Sequence, residues 1–155
     1  MKLQILVPQY QDGDDIIKIL LDSISLQKCI DFNDVGVIVC NDGSDVRLSN
    51  ALLASYPFKI EYYWNNIHSI SKARNICLEK STADYVMFCN IDDMFYNACG
   101  LYILFNEMSR GKFDTLTSVF KEETMDKFRN KVLVDRDMDP TFIYGKVYRR
   151  QYLLD

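Results

Sequence analysis

The stretch that decides the fold is Asp84–Phe95, with the sequence DYVMFCNIDDMF. Its first half, Tyr85–Cys89, is a short apolar run, which is typical of a strand buried in a parallel sheet. The run leads into two carboxylates, Asp92 and Asp93, at the strand end where open α/β sheets bind their ligands. Adjacent carboxylates repel one another unless a cation lies beside them. The stretch therefore indicates a divalent metal that holds a phosphate, although the pair taken alone is more typical of solvated turn residues.

The composition is that of a soluble globular protein. The chain has 155 residues, of which 48% are hydrophobic and 26% are charged, and this length fits one domain with its own core. The formal net charge is −4 and the isoelectric point is about 5.0. Binding of nucleic acid needs a basic face, so the charge balance argues against a nucleic-acid partner. The charge balance does not exclude an anionic ligand that is bound through a metal or through a local basic patch.

Signals for membrane insertion and secretion are missing from the sequence. No apolar run approaches the length of about 18 residues that a spanning helix needs, and the first residues show a strand pattern instead of a signal peptide. The cysteines are Cys29, Cys40, Cys77, Cys89 and Cys99. Their odd number and the lack of a Cys-x-x-Cys pair are typical of reduced thiols in a cytosolic protein. We therefore expect a cytoplasmic protein without a transmembrane segment. Peripheral contact with a membrane is not excluded.

Strand and helix patterns alternate as far as residue 120, which predicts a mainly parallel sheet flanked by helices. The predicted strands are Leu3–Val7, Val35–Cys40, Lys59–Tyr63, Tyr85–Cys89, Thr115–Phe120 and Lys131–Asp135. The predicted helices begin at Asp14, at about Arg47, after a cap at Ser69 or Ser71, and after a cap at Asn97. From Phe120 onward the alternation stops, and Lys121–Lys131 is a charged stretch. We expect this last part to add an antiparallel edge or to cover one face of the sheet.

Three of the predicted strands end in residues that suit a nucleoside diphosphate. Tyr10 follows the first strand, Asp42 the second, and Asp92 and Asp93 the fourth. Tyr10 can stack on a base, Asp42 can accept the imide N–H of a uracil, and the carboxylate pair can hold a metal on the diphosphate. Each residue has an ordinary alternative, since Tyr10 can be a surface aromatic and Asp42 a turn former. Their conjunction at one sheet edge favours the ligand site.

Basic residues begin the helix that precedes the central strand. Lys72 and Arg74 lie near its N-terminus, where cations can help to bind a phosphate. A solvated basic face explains Lys72 better, whereas the two explanations fit Arg74 equally well. His68 has no serine and aspartate arranged around it as in a nucleophilic hydrolase. We expect His68 to be a loop residue close to the ligand edge.

In order and spacing, these motifs resemble family 2 of the glycosyltransferases, a group with the GT-A fold, over nearly the whole chain. The matching segments are Ile5–Gln11 (Val-Pro-x-Tyr-Asn in the family), Val37–Asp45 (Val-Asp-Asp-Gly-Ser-x-Asp), Ser69–Asn75 (Gly-x-Ser-x-Ala-Arg-Asn), Ala83–Asp93 (Gly-x-Tyr, a hydrophobic strand and Asp-x-Asp-Asp) and Tyr144–Arg150. Each segment is moderately specific, and their order makes the resemblance strong.

The resemblance implies a GT-A, Rossmann-like α/β fold over residues 1–155, in which residues 1–120 bind a nucleotide sugar and residues 121–155 begin the acceptor side. It implies an enzyme that transfers a sugar from a nucleotide-diphosphate sugar, usually a uridine diphosphate sugar, to an acceptor hydroxyl with inversion, using Mn²⁺ or Mg²⁺. By position, the nucleoside would be held by Pro8, Tyr10 and Asp42 with Arg74 nearby, the rest of the donor by Asn90 and Asp92, and the metal by Asp93 with Asp92.

The sequence departs from the family pattern in three places. Asn41 replaces the first aspartate of the second motif, and Asn90 replaces the first aspartate of the metal motif; both changes predict weaker metal binding. The family's catalytic base lies well downstream of the metal motif, often in a Glu-Asp pair, and no such pair stands in a plausible place before Asp155. We therefore expect a chain truncated at its C-terminus with the base beyond Asp155, or a catalytically inactive relative that serves as a binding or structural module.

A phosphoacceptor receiver domain is a third interpretation, because it also has a parallel sheet and acidic residues. It requires an acidic pair directly after the first strand and a lysine after the last strand. Asp14 and Asp15 come too late in the sequence to be that pair, so the receiver domain is disfavoured.

Overall fold

The main sheet has the strand order β3-β2-β1-β4-β8-β5 in the computed structural model, which describes residues 1–111, 113–136 and 143–155. The strands are β1 (Leu3–Gln9), β2 (Val35–Asp42), β3 (Lys59–Asn65), β4 (Tyr85–Phe88), β5 (Thr115–Thr117), β6 (Phe120–Met125), β7 (Lys131–Arg136) and β8 (Lys146–Arg149). The helices are α1 (Asp14–Ser25), α2 (Asn50–Leu53), α3 (Ile70–Lys80), α4 (Gly100–Arg110) and α5 (Arg150–Leu154). Strands β1 to β4 pair in parallel, as predicted, whereas β8 is antiparallel to both of its neighbours.

Both faces of the sheet are covered, which explains why β1 and β2 are mainly apolar and why even their polar residues are buried. Ile5 and Val7 of β1 belong to the core on the side of α1 and α4, whereas Leu6 packs with Ala73 and Cys77 of α3 on the other side. Every residue of β1 and β2 is buried. The described part of the chain contains no helix that is long and apolar enough to cross a membrane.

Local signals place the helices between the strands. Asp14 and Asp15 lie in the first turn of α1, where negative charge stabilises the positive end of the helix dipole. Ser69 caps α3, because its side chain accepts a hydrogen bond from a backbone N–H of the first turn. The predicted cap at Asn97 is wrong: its side chain accepts from the N–H of Cys99 in the preceding turn, and α4 begins only at Gly100.

The last part of the chain differs from the prediction. The predicted strand Thr115–Phe120 is too long, since β5 ends at Thr117 and Phe120 already begins β6. The charged stretch that follows contains β6, which pairs with β7 in a separate two-stranded sheet. The predicted strand Lys131–Asp135 matches β7, but β6 has few apolar residues to reveal it, and ion pairs such as the one between Glu122 and Arg136 link the two strands. Strand β8 adds the expected antiparallel pairing, but it is not the edge strand, because it lies between β4 and β5.

Candidate donor-binding site

The carboxyl ends of β1, β2 and β4 border one cavity, because β1 lies between the other two strands. The cavity has a volume of about 280 Å³. It is lined by Pro8, Gln9, Tyr10, Asp12, Asp42, His68, Ile70, Asn90 and Ile91. The structure therefore brings together four residues that the sequence singled out as ligand contacts, namely Pro8, Tyr10, Asp42 and Asn90.

Asp42, the last residue of β2, is 2% exposed. Its Oδ1 atom accepts hydrogen bonds from the backbone N–H of Ser69 at 2.6 Å and from Nδ2 of Asn65 at 3.1 Å. These bonds attach the end of β2 to the end of β3 and the start of α3. Its Oδ2 atom lies 3.4 Å from Nδ1 of His68. Oδ2 is thus the carboxylate oxygen available to a ligand, and His68 is the group beside it.

Two aromatic rings meet at the mouth of the cavity. The ring centroids of Tyr10 and His68 are 3.9 Å apart, and the two planes are inclined by 31°. Tyr10 is 39% exposed, and 64% of the His68 side chain is exposed. His68 therefore lines the site itself, whereas the sequence predicted only a loop residue close to it.

A buried hydrogen-bond network supports the strand ends beneath the cavity. Nδ2 of Asn41 donates to the carbonyl of Val46 at 2.8 Å and to the hydroxyl of Tyr62 at 3.0 Å, while Oδ1 accepts from the N–H of Ser44 at 2.8 Å. The Tyr62 hydroxyl donates to Oε1 of Gln9 at 3.0 Å. Asn41 is fully buried, and its amide both donates and accepts. An ionised aspartate cannot donate, so this departure from the family pattern has a structural cause.

The carboxylate pair after β4 is asymmetric. Asp92 is exposed, whereas Asp93 is partly buried and its Oδ2 accepts the backbone N–H of Asn90 at 2.6 Å. Burial raises the pKa of Asp93, the negative charge of Asp92 raises it further, and hydrogen bonds from Asn90 oppose the shift. Neither carboxylate lines the cavity, whose wall at this point is formed by Asn90 and Ile91.

Asp12 is a cavity residue that the sequence analysis missed. Burial raises the pKa of Asp12, and the charges of Asp92 and Asp15 add to the effect, so the cavity wall and the carboxylate pair interact electrostatically. Gln9 was missed as well, and its Nε2 donates to the carbonyl of Asp12 at 2.7 Å. Their position in the polar turn around Tyr10 is the signal that could have identified them.

Arg74 lies in the first half of α3, and the structure does not place it on the cavity wall. Its Nε atom is buried and has no hydrogen-bond partner among the described residues. Buried donors are nearly always paired in folded proteins. The unpaired nitrogen therefore marks Arg74 as a residue able to accept an additional anionic or polar partner.

The chemistry of Asp92 and Asp93 fits a hard divalent cation. Carboxylate oxygens are the ligands that Mg²⁺ and Mn²⁺ prefer, and a cation beside the pair would offset the burial and repulsion that raise the pKa of Asp93. Within residues 1–111, 113–136 and 143–155, no three acidic, histidine or cysteine side chains form a metal site by themselves. A metal here would therefore need ligands from substrate phosphates and water, as is usual for Mg²⁺.

A mainly parallel sheet with its cavity at the carboxyl ends of the central strands agrees with the predicted GT-A, Rossmann-like α/β fold. The chain matches the family model of glycosyl transferase family 2 over residues 4–152. It therefore belongs to this family, which confirms the resemblance that the motifs indicated. None of the curated proteins compared with the chain matches it.

Solved structures support the same fold. Residues 1–349 of TarS from S. aureus, in complex with UDP, are 20% identical with a TM-score of 0.74, covering 100% of this chain and 48% of that chain. The complex of the same protein with UDP-GlcNAc has 20% identity and a TM-score of 0.74, covering 100% and 47%. The mannosyltransferase PcManGT from Pyrobaculum calidifontis, in complex with GDP-Man and Mn²⁺, has 15% identity and a TM-score of 0.63, covering 75% and 34%. The chain thus spans about half the length of the TarS structure.

Proposed function

We propose that this chain carries the donor site of a glycosyltransferase that uses a nucleotide-diphosphate sugar. Among such donors we favour a uridine diphosphate sugar. The acceptor would be a hydroxyl of a saccharide or another molecule, and the transfer would proceed with inversion and a divalent metal. The observation that carries the proposal is the meeting of Tyr10 and Asp42 in one cavity, with Asp92 and Asp93 directly after the neighbouring strand. The complexes of TarS with UDP and UDP-GlcNAc support the choice of donor.

The nucleoside would lie in the cavity. Tyr10 offers a partly exposed aromatic face for a base, and Oδ2 of Asp42 can accept the imide N–H of a uracil, since Oδ1 already has two donors. Pro8 lines the same wall. A uracil would thus satisfy both the aromatic and the polar side of the cavity, whereas cytosine has no imide N–H to donate.

The diphosphate would extend towards the carboxylate pair. Asn90 forms the cavity wall on that side, and Asp93, assisted by Asp92, would hold the metal. The metal would neutralise the charge that builds up on the leaving diphosphate. Arg74 would supply a second positive charge, and a phosphate oxygen would provide the partner that its buried Nε lacks among the described residues.

Residues 1–120 would form the donor-binding part, and residues 121–155 would begin the acceptor side. The first part contains the parallel strands β1 to β4 and every residue that lines the cavity. The second contains the hairpin of β6 and β7 and the antiparallel strand β8. The proposed division keeps the parallel strands and the cavity together, although β5 of the first part pairs antiparallel with β8 of the second.

The experiment that tests the donor site is a thermal-shift titration with UDP and Mn²⁺. Both together should raise the melting temperature of the wild-type chain by mass action, and Asp93→Asn should reduce the shift strongly. This variant removes the charge but keeps an oxygen that can accept the N–H of Asn90. Asp84→Asn is the matched control, because Asp84 is an exposed aspartate at the opposite end of the same strand. The absence of a shift with every nucleoside diphosphate and metal would refute the proposal.

A donor-binding protein without transferase activity is the second candidate. Asn90 favours it, because an amide at the cavity wall replaces a family carboxylate and Asp93 is engaged by the backbone of Asn90. The two candidates differ in turnover. Release of UDP from a UDP-sugar by the chain, lost in Asp93→Asn, would exclude the inactive candidate, whereas tight binding without release under any acceptor condition would favour it.

A further inference from the structure

The side chain of His68 lies beside the two groups, the Tyr10 ring and the Asp42 carboxylate, that the cavity would offer to a pyrimidine. Its ring lies against the Tyr10 ring, with 3.9 Å between the centroids. Its Nδ1 atom lies 3.4 Å from the backbone carbonyl oxygen of Asp42 and 3.4 Å from Oδ2, the carboxylate oxygen that is available to a ligand. A planar heterocycle with one N–H is thus already placed between an aromatic face and a carboxylate.

We propose that the imidazole of His68 occupies the nucleobase position in the ligand-free protein, and that a bound uridine nucleotide displaces it. This inference rests on the proposed function, because it concerns the regulation of the same site. His68 then competes with the donor for Tyr10 and for Asp42. The contacts of His68 with Tyr10 and Asp42 would thus lower the affinity for the donor.

The surroundings of His68 allow its side chain to leave without a change in the backbone. Asn65 donates to the carbonyl of Ile67 and to Asp42, and the N–H of Ser69 donates to Asp42, so the backbone on both sides of His68 is attached to the sheet. The side chain itself is 64% exposed. Rotation about its own bonds therefore opens the site towards solvent.

The backbone of His68 also lies against Gly43, which has a φ of +76°. A Cβ atom at this glycine would be 3.2 Å from the nitrogen of His68, which is tighter than ordinary van der Waals contact. The close approach brings the imidazole within reach of Asp42 at the end of β2. We therefore infer that a ligand displaces the imidazole by rotation of the side chain, with the backbone of His68 held against Gly43.

Competition of this kind has a defined effect on affinity. The apparent dissociation constant of a ligand equals its intrinsic value divided by the fraction of protein in the open form. Removal of the competing ring in His68→Ala should therefore tighten the binding of UMP about three- to tenfold, which corresponds to an open fraction of roughly 10–30%. Loss of the stacking surface in Tyr10→Leu should weaken binding instead.

The chain contains a single histidine, so the test can observe His68 directly by proton NMR of its imidazole C–H signals. In the free protein, the ring current of Tyr10 should shift these signals upfield, and Tyr10→Leu should remove the shift. Saturation with UMP in the absence of metal should move the signals towards the position of a solvated histidine. Calorimetry with UMP on the wild type, His68→Ala and the exposed loop control Asn66→Ala measures the affinities in parallel.

The outcomes separate the inference from the function on which it rests. Tighter binding by His68→Ala together with displacement of the imidazole signals supports the inference. Binding that is unchanged or weaker in His68→Ala, or imidazole signals that do not move while UMP binds, overturns the inference and leaves the donor site intact. If neither UMP nor UDP with Mn²⁺ binds to any variant, the proposed function itself is wrong.

Discussion

Replacement of Asn41 by aspartate, the residue that the family pattern has at this position, should destabilise the protein instead of restoring a lost site. The amide of Asn41 is fully buried. Its Nδ2 atom donates to the carbonyl of Val46 at 2.8 Å and to the hydroxyl of Tyr62 at 3.0 Å. An ionised carboxylate cannot donate either bond and would face a carbonyl oxygen. The variant therefore loses two hydrogen bonds and gains a buried charge.

The expected loss follows from the partners that remain. A buried hydrogen bond contributes about 1 kcal/mol net, and an unpaired buried group costs about 1–3 kcal/mol. The carbonyl of Val46 keeps the bond from Nε2 of Gln9 at 3.0 Å, and the Tyr62 hydroxyl can turn towards the new carboxylate. We therefore expect Asn41→Asp to lower the free energy of unfolding by about 2–4 kcal/mol at neutral pH, since rearrangement recovers only part of the loss.

The loss should also depend on pH. Burial raises the pKa of a carboxyl group above its value in the unfolded chain, so the folded variant binds more protons than the unfolded variant. Stability then falls as the pH rises between the two pKa values. The deficit of Asn41→Asp relative to the wild type should accordingly be smaller at about pH 4 than at about pH 7, because the protonated carboxyl can donate again.

Urea unfolding followed by circular dichroism measures both effects. Asn66→Asp is the matched control, because it adds the same charge at an exposed position in the loop after β3, and it should stay within about 0.5 kcal/mol of the wild type. A difference of less than about 0.5 kcal/mol between Asn41→Asp and the wild type at neutral pH would refute the reasoning. So would a deficit that grows as the solution is acidified.

Three further changes test the same region. Tyr62→Phe removes the hydroxyl to which Asn41 donates and should lower the free energy of unfolding by about 1–2 kcal/mol in urea; an unchanged midpoint would contradict the network. Gly43→Ala places a Cβ atom 3.2 Å from the nitrogen of His68 on a backbone with a φ of +76°, and should cost about 1–3 kcal/mol by thermal unfolding, whereas a gain would show that the turn is unstrained. Burial raises the pKa of Asp93, so the folded state binds more protons and its stability falls as the pH rises past the ordinary aspartate range. Asp93→Asn should remove this part of the pH dependence in denaturation series across the acidic range, and equal slopes for both proteins would contradict it.

The positions of the four parallel strands were predictable from the sequence, and so was the meeting of Pro8, Tyr10, Asp42 and Asn90 in one cavity. Short apolar runs followed by Tyr10, Asp42 and Asp92 predict that these residues lie at one edge, because parallel strands share one carboxyl edge, and Tyr10 and Asp42 do line one cavity, whereas Asp92 does not. His68 gave no such signal. Its contact with Tyr10 depends on the sheet order, which places the loop after β3 next to the ends of β1 and β2. A single histidine in a polar loop carries no pattern from which that neighbour can be deduced.

Asn41 and Asn90 look alike in the sequence but have different roles in the structure. From the sequence, both are departures from the family pattern that predict weaker metal binding. The structure separates them, since Asn41 belongs to a buried network with Tyr62 and Gln9, whereas Asn90 lies on the cavity wall. The distinction could not be predicted, because residues far apart in the chain provide the partners of Asn41.

The sequence by itself determined the class of fold, the family motifs and the strand ends that carry the candidate ligands. These features arise from local apolar periodicity and from residue types at fixed spacing, which are present before any long-range contact forms. Only the tertiary structure decided the burial of Asp42 beside His68, the asymmetry between Asp92 and Asp93, and the hairpin of β6 and β7. The burial of these carboxylates depends on how the chain packs, which local periodicity does not specify, and β6 is linked to β7 by charged side chains that give no apolar pattern. The stretch Asp84–Phe95 indicates where the site lies, and its neighbours in space determine what it can bind.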